Sequence, residues 1–203
     1  MGSEALLVEL TGLDAVLALR ADLADDPPPG VRDLVAAART LLIGYDPAVT
    51  GPAPLTREVT RRALAPRSLP PRPAGGPEAL TVPVRYDGAD LAEVARRTGL
   101  TPDEVIARHT APRYTVAFAG FAPGFGYLTG TDPLLALERR AEPRTEVPAG
   151  SVAVAGGFTG VYPRSSPGGW HLLGTTTLTL WDERRDPPAL LIPGRTVRLR
   201  AVG

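Results

Sequence analysis

Between Ala65 and Pro77 the chain reads Ala-Pro-Arg-Ser-Leu-Pro-Pro-Arg-Pro-Ala-Gly-Gly-Pro, and no regular element survives such a run. Proline removes the backbone donor that a helix interior or a central strand needs, and it biases the preceding residue towards extended backbone. The segment is therefore expected to be a semi-rigid linker. It divides the chain into residues 1–78, a small α/β domain ending in the linker, and residues 79–203, a β-rich domain.

On the first side, Leu6 to Leu10 reads as a strand. Gly12 to Leu23 reads as a helix, with Leu13, Val16, Leu17 and Arg20 at helical spacing. Val31 to Tyr45 supports two readings: its alanine-rich middle favours helix, and Leu41-Leu42-Ile43 favours strand. Thr56 to Leu64 has the pattern of an amphipathic helix. A β-α-β-β-α order would be ferredoxin-like. On the second side, Leu80 to Tyr86 reads as a strand and Asp90 to Thr98 as a short helix stopped by Gly99. Thr101-Pro102-Asp103-Glu104 is a capping box that opens a helix running to about His109. From Tyr114 onward the runs Tyr114–Phe118, Ser151–Ala155, Leu172–Trp181 and Thr196–Val202 are short, β-rich and parted by Gly/Pro turns, the spacing of a barrel or sandwich.

The missing residues narrow the chemistry. The sequence has no Cys, and all 22 of its basic residues are Arg. That removes thiolate chemistry and cysteine zinc sites. It also removes lysine Schiff bases, a GK[ST] phosphate loop and a biotinyl-lysine carrier. With two His and no Cys, no metal site is expected. A net charge of +0 argues against nucleic acid and against a polybasic membrane contact. No apolar run approaches a bilayer span, and the first ten residues lack the basic start of a signal peptide, so a cytoplasmic location is expected.

Three stretches are unusual for turns. They are Gly120-Phe121-Ala122-Pro123-Gly124-Phe125-Gly126-Tyr127-Leu128, Pro143 to Gly157, and Gly160-Val161-Tyr162-Pro163 with Ser166-Pro167-Gly168-Gly169-Trp170-His171-Leu172. Aromatic residues in loops must pack or bind. In order and spacing the three stretches resemble the 5-oxoprolinase B-subunit family, which includes the sporulation-kinase inhibitor and the allophanate hydrolase subunit 1 domain. The resemblance extends over nearly the whole chain. It implies a small α/β domain followed by a cyclophilin-like β-barrel, and it favours a hairpin over 31–45. Two positions depart from the family pattern: Phe158 stands where Gln is usual, and Thr175 where Arg is usual.

The resemblance implies a component, inactive alone, of an ATP-dependent amidohydrolase that converts 5-oxoproline to glutamate. It would work with C-type and A-type subunits as partners, and ATP would be used by the complex rather than by this chain. A regulator that binds a histidine kinase and a component of a urea or allophanate amidohydrolase are the competing readings. A stand-alone prolyl isomerase rests on the barrel type only. As catalytic candidates, Arg144 offers a bidentate clamp for a carboxylate or phosphate, and His171 a general acid/base. Glu142 and Glu146 are the alternative, ion-pair partners for Arg144. Gly124, Phe125, Ser151, Gly156, Gly157, Thr159, Tyr162, Gly168, Gly169 and Trp170 are the substrate-binding candidates, with the glycines admitting a ligand to backbone N–H groups. His109, at a helix end where the dipole favours a cation, is read as structural.

Overall fold

The computed structural model describes residues 4–65 and 79–203, and the chain divides into two compact units, 1–75 and 76–203. All of the expected linker except Ala65 lies outside the described residues.

The first unit runs β1 (Ala5–Glu9), α1 (Leu13–Asp25), β2 (Val31–Ala36), β3 (Thr40–Tyr45) and α2 (Pro52–Leu64). The strands form an antiparallel sheet in the order β1-β3-β2. Residues 31–45 are thus a hairpin, and the alanine-rich middle does not prevail. Alternation decides it: Leu41, Ile43 and Tyr45 are buried on one face of β3, and that burial outweighs local helix preference. Pro52 at the first position of α2 starts that helix earlier than the expected Thr56. The fourth strand that a full ferredoxin-like sheet adds is not among the described residues.

The second unit runs β4 (Leu80–Arg85), α3 (Leu91–Thr98), α4 (Pro102–Thr110), β5 (Tyr114–Ala119), β6 (Gly126–Thr129), β7 (Arg144–Val147), β8 (Ser151–Ala155), β9 (Phe158–Val161), β10 (Ser166–Gly168), β11 (His171–Thr175) and β12 (Thr196–Val202). Seven strands close a barrel in the order β11-β4-β12-β5-β6-β9-β8, while β7 and β10 pair as a separate ribbon. The capping box forms as the sequence dictates: the Thr101 hydroxyl accepts from the Glu104 N–H, and Glu104 reaches back to the Thr101 N–H. Inside the barrel, Val82, Val84, Tyr114, Val116, Leu128, Val152, Val161 and Val197 make the core. The expected strand 172–181 ends at Thr175. At Thr176 the backbone N–H turns away to Gly150, and beyond it only an isolated bridge at Trp181 remains. Strands β6 and β9 each carry a stretch that the sequence presents as glycine-rich loop.

Candidate functional site

The aromatic side chains of the three unusual stretches converge on one cleft of about 30 Å³. It is lined by Phe121, Phe125, Tyr127, Arg139, Tyr162, Gly168, Gly169 and Trp170. The strands dictate the convergence. Hairpin β5–β6 presents Tyr127, Tyr162 follows β9, and ribbon β7–β10 brings Gly168 and Trp170 over it. The rings meet edge to face: Phe125 lies 5.5 Å from Trp170, 5.4 Å from Tyr162 and 5.0 Å from Tyr127. Such contacts add to burial because ring edges are positive and faces negative. Gly168 is required here: a Cβ at that position would lie 2.3 Å from the Tyr162 hydroxyl.

Burial raises the Tyr127 and Tyr162 phenols above their ordinary range, with nearby Arg139 pulling both back in part. Both therefore remain protonated donors near neutral pH. The backbone N–H of Trp170 also hydrogen-bonds Tyr162. Arg139 is exposed, and among the described residues no carboxylate pairs with it. The cleft thus offers two neutral O–H donors and one guanidinium on aromatic walls, a set suited to a carbonyl or carboxylate oxygen on a small flat molecule. Sequence reasoning missed Arg139. Its only signal is proximity to Arg140 in a loop that follows no motif.

One backbone feature stands at the cleft mouth. Phe121 has φ +68° and is the single non-glycine residue with positive φ among the described residues. For a bulky side chain this costs on the order of 1–3 kcal/mol.

Arg144 is placed differently from its expected role. Its guanidinium grips Asp90 with both arms, at 2.9 and 2.8 Å. The fork needed to clamp a ligand is therefore occupied. The suggested ion-pair partners are not the ones found either, since Glu146 instead accepts from Ser165. Asp90 also accepts from Arg140 at 2.9 Å and from the Leu172 N–H at 2.8 Å. Burial by itself would raise the Asp90 carboxyl, but Arg144, the Leu172 N–H and Arg140 outweigh it and hold it below the usual carboxylate range. Asp90 precedes α3 yet makes no capping bond to it, because its oxygens are spent on this clamp. It ties together Arg140, Arg144 and Leu172.

His171 does not reach the aromatic cleft. Its Nε2 lies 2.8 Å from the Glu138 carbonyl and 3.3 Å from Arg97 Nη1, and Nδ1 is buried without a partner. It lines a separate hollow of about 270 Å³ with Glu93, Arg97, Arg140, Ala141 and Glu142. Nδ1 is out of reach of solvent and Nε2 is held between a carbonyl and a guanidinium, so neither nitrogen is presented to the aromatic cleft.

Of the binding candidates, Phe125, Tyr162, Gly168, Gly169 and Trp170 come together in the cleft and five others do not. Thr159 is fully buried, with its hydroxyl bonded to His109 Nε2 at 3.0 Å and to Thr131 at 3.0 Å. Ser151 is buried at the start of β8. Gly156 and Gly157, both with positive φ, form the tight turn between β8 and β9. Gly124 packs against Leu180 and Trp181. His109 is structural, but not as a dipole-stabilised cation. Complete burial pushes it down to about 3, and the neutral ring is held between Tyr86, at 2.8 Å, and Thr159. Phe158 packs edge-on against Tyr127 and Phe118, behind the cleft wall rather than in its lining. Thr175 donates to Asp87.

Among the described residues there is no cluster of His, Asp or Glu fit for a metal, and no helix long and apolar enough to cross a membrane. Larger hollows in the first unit, such as one of about 470 Å³ lined by Thr11, Asp14, Ala15, Ala18, Leu19, Ala63 and Ala65, hold no comparable set of donors.

Three curated proteins, each named as the B subunit of 5-oxoprolinase, are similar to this chain. The one from Escherichia coli O157:H7 is 51% identical over 122 residues, which is 59% of this chain and 56% of that protein. The one from Bacillus subtilis is 48% identical over 120 residues, 58% of this chain and 50% of that protein. The chain therefore matches about half the length of these relatives. Among solved structures, TTHA0988 superposes with a TM-score of 0.76 at 40% identity, covering 98% of this chain and 40% of the longer one. PH0987 from Pyrococcus horikoshii gives 0.60 at 34% identity, over 100% of this chain and 95% of that one. The urea amidolyase of K. lactis shares the fold at 18% identity, with a TM-score of 0.75 over 98% of this chain and 14% of that one. The carboxyltransferase domain model, subdomains C and D, matches residues 1–191, and the chain belongs to that family, within the group of the 5-oxoprolinase B-subunit proteins.

Proposed function

We propose that this chain is one subunit of an ATP-dependent amidohydrolase that opens 5-oxoproline to glutamate, inactive without A-type and C-type subunits as partners. The observation that carries this reading is the cleft itself: two protonated phenols and a guanidinium without an acidic partner, on aromatic walls assembled from the family's own motifs. In the net reaction, water adds across the lactam C–N bond, its oxygen ending on the carbonyl carbon and its hydrogen on nitrogen, while a second water takes the phosphoryl group of ATP to give ADP and phosphate. The hydroxyls of Tyr127 and Tyr162 donate to the oxygen that gains charge as water adds, and Arg139 holds the carboxylate of the substrate. The residues present do not fit ATP: the sequence has no Lys and no phosphate loop. Nucleotide use therefore falls to the partners. The finer architecture that goes with this reading is a ferredoxin-like first domain, a proline-rich boundary near residue 78 and a cyclophilin-like barrel. The 1-3-2 strand order and the barrel closure support it, and a cytoplasmic location is proposed with it.

The test is co-expression with candidate A-type and C-type partner proteins, followed by assay of ATP-dependent glutamate release from 5-oxoproline. Release only from the full set is expected. A stable full assembly that leaves 5-oxoproline intact but cleaves a urea-derived amide would replace the substrate, and absence of any assembly would overturn the reading.

A further inference from the structure

Wherever else the described backbone turns to positive φ, the sequence supplies glycine: eight glycines occupy such positions, and Phe121 is the one exception. Glycine would adopt this turn without strain. The turn holds itself through backbone bonds alone, from Ala122 N–H to Gly120, Phe125 N–H to Ala122 and Gly120 N–H to Phe125. Most of the ring is left in water, since Phe121 remains 58% exposed. Yet it is aimed: its ring stands edge-on to Phe125 at 5.3 Å and to Tyr162 at 6.0 Å, over a cleft of about 30 Å³. That space holds about one water. A ligand the size of a five-membered lactam must therefore seat beside Phe121 or move it.

We infer that Phe121 is a substrate-contacting specificity residue, a strained aromatic wall against which a small planar amide or lactam ring stacks above Tyr162. The inference deepens the proposed amidohydrolase reading and rests on it for the identity of the ligand. A fold pays for strain of this kind only where the side chain is used, and a side chain that folding leaves in water is used on something else.

The test compares Phe121→Gly, Phe121→Ala and Phe121→Tyr in the assembled complex, with 5-oxoproline as the probe. Phe121→Gly relieves the turn and is expected to raise Tm by about 2–4 °C while raising KM at least fivefold. Phe121→Ala keeps the strain and loses the ring, so KM rises similarly without the gain in Tm. Phe121→Tyr keeps the wall and stays within twofold of the parent. A fall in Tm for Phe121→Gly would make the ring a folding element and overturn the inference. So would an unchanged KM, or loss of co-purification with the partner proteins, which would make Phe121 an interface residue. Should the parent complex not hydrolyse 5-oxoproline, the amidohydrolase reading fails. Binding of a panel of small planar amides, followed by Trp170 fluorescence in a Trp181→Phe background, then decides the inference: weaker binding by Phe121→Gly supports it, and equal or absent binding overturns it.

Discussion

Around Asp90 every acceptor site is filled, whereas in the aromatic cleft, whose Trp170 stands two residues before Leu172, one guanidinium has no carboxylate. The Asp90 carboxylate takes four donors: two from Arg144, one from Arg140 and the Leu172 N–H. An ionised carboxyl has about four lone-pair sites, so the clamp is saturated. Arg139, the neighbour of Arg140, faces Tyr127 and Tyr162 with no carboxylate among the described residues. Two consecutive arginines thus take opposite parts, one closing a structural knot and the other charging a cleft. Saturated charge fixes geometry, whereas Arg139 has the Tyr127 hydroxyl but no carboxylate beside it.

The largest effect should come from cutting the knot. Asp90→Ala removes four hydrogen bonds and leaves two guanidinium groups and an amide to find water. Asp90 itself is 3% exposed, but both arginines are partly exposed and can be hydrated. The loss should therefore sit at the low end for a broken buried pair, about 3 kcal/mol, with activity of the assembled complex falling as the Gly168–Leu172 segment loosens. Denaturant unfolding measures it. Loss below about 1 kcal/mol would mean that the clamp is ornamental to the fold.

The smaller but more telling effect separates the arginines. Arg139→Met should lower kcat/KM for 5-oxoproline by at least about tenfold, as for a lost charge-assisted contact. Because Arg139 is exposed, stability should stay within about 0.5 kcal/mol. Arg144→Met should do the reverse, costing about 1–3 kcal/mol of stability through the unpaired Asp90 and disturbing kcat/KM less. If both variants lose activity equally with stability intact, Arg144 is a ligand group after all and the division between knot and cleft collapses.

The division explains what the sequence showed and what it hid. The Thr101–Glu104 capping box is a local pattern and became the helix start that it implies, whereas the apolar run Leu41-Leu42-Ile43 left 31–45 open between helix and strand, because only the alternating burial of β3 decides it. Of the rings that line the cleft, Phe125, Tyr162 and Trp170 stand among the substrate-binding candidates read from the sequence, while Phe121 and Tyr127 do not, because a ring in a glycine-rich loop packs or binds by the same local pattern. The Asp90–Arg144 pair was not legible, because 54 residues separate the partners and nothing local marks an aspartate before a helix as other than a cap. Gly156 and Gly157 looked like ligand-admitting glycines for the same reason that they are a tight turn: positive φ serves either end. Thr159 sits in a motif that faces two ways, with alternate residues of β9 pointing to opposite sides. Its inward placement is fixed by β8–β9 register, which the sequence does not print.

The smallest effect concerns the group that is polar but uncharged, His109. Desolvation lowers its folded value to about 3, against 6.5 unperturbed. The unfolded chain therefore binds a proton between these values and the native state does not, so stability is fully present above about pH 6.5 and declines as pH falls towards 3. Between pH 6.5 and 5.5 the decline should be about 1 kcal/mol. Carboxylates held low by partners, such as Asp90, weaken the fold only at more acid pH, so this window isolates His109 from them. His109→Gln keeps a donor and an acceptor for Tyr86 and Thr159 and removes the titration. Subtracting its pH-stability curve from that of the parent cancels His171, which both proteins share. A difference that slopes by about 1 kcal/mol across the window supports a neutral, relay-bonded His109. A flat difference would mean that the ring is protonated in the native state, and that the Tyr86–His109–Thr159 chain is a second charged knot rather than an uncharged one.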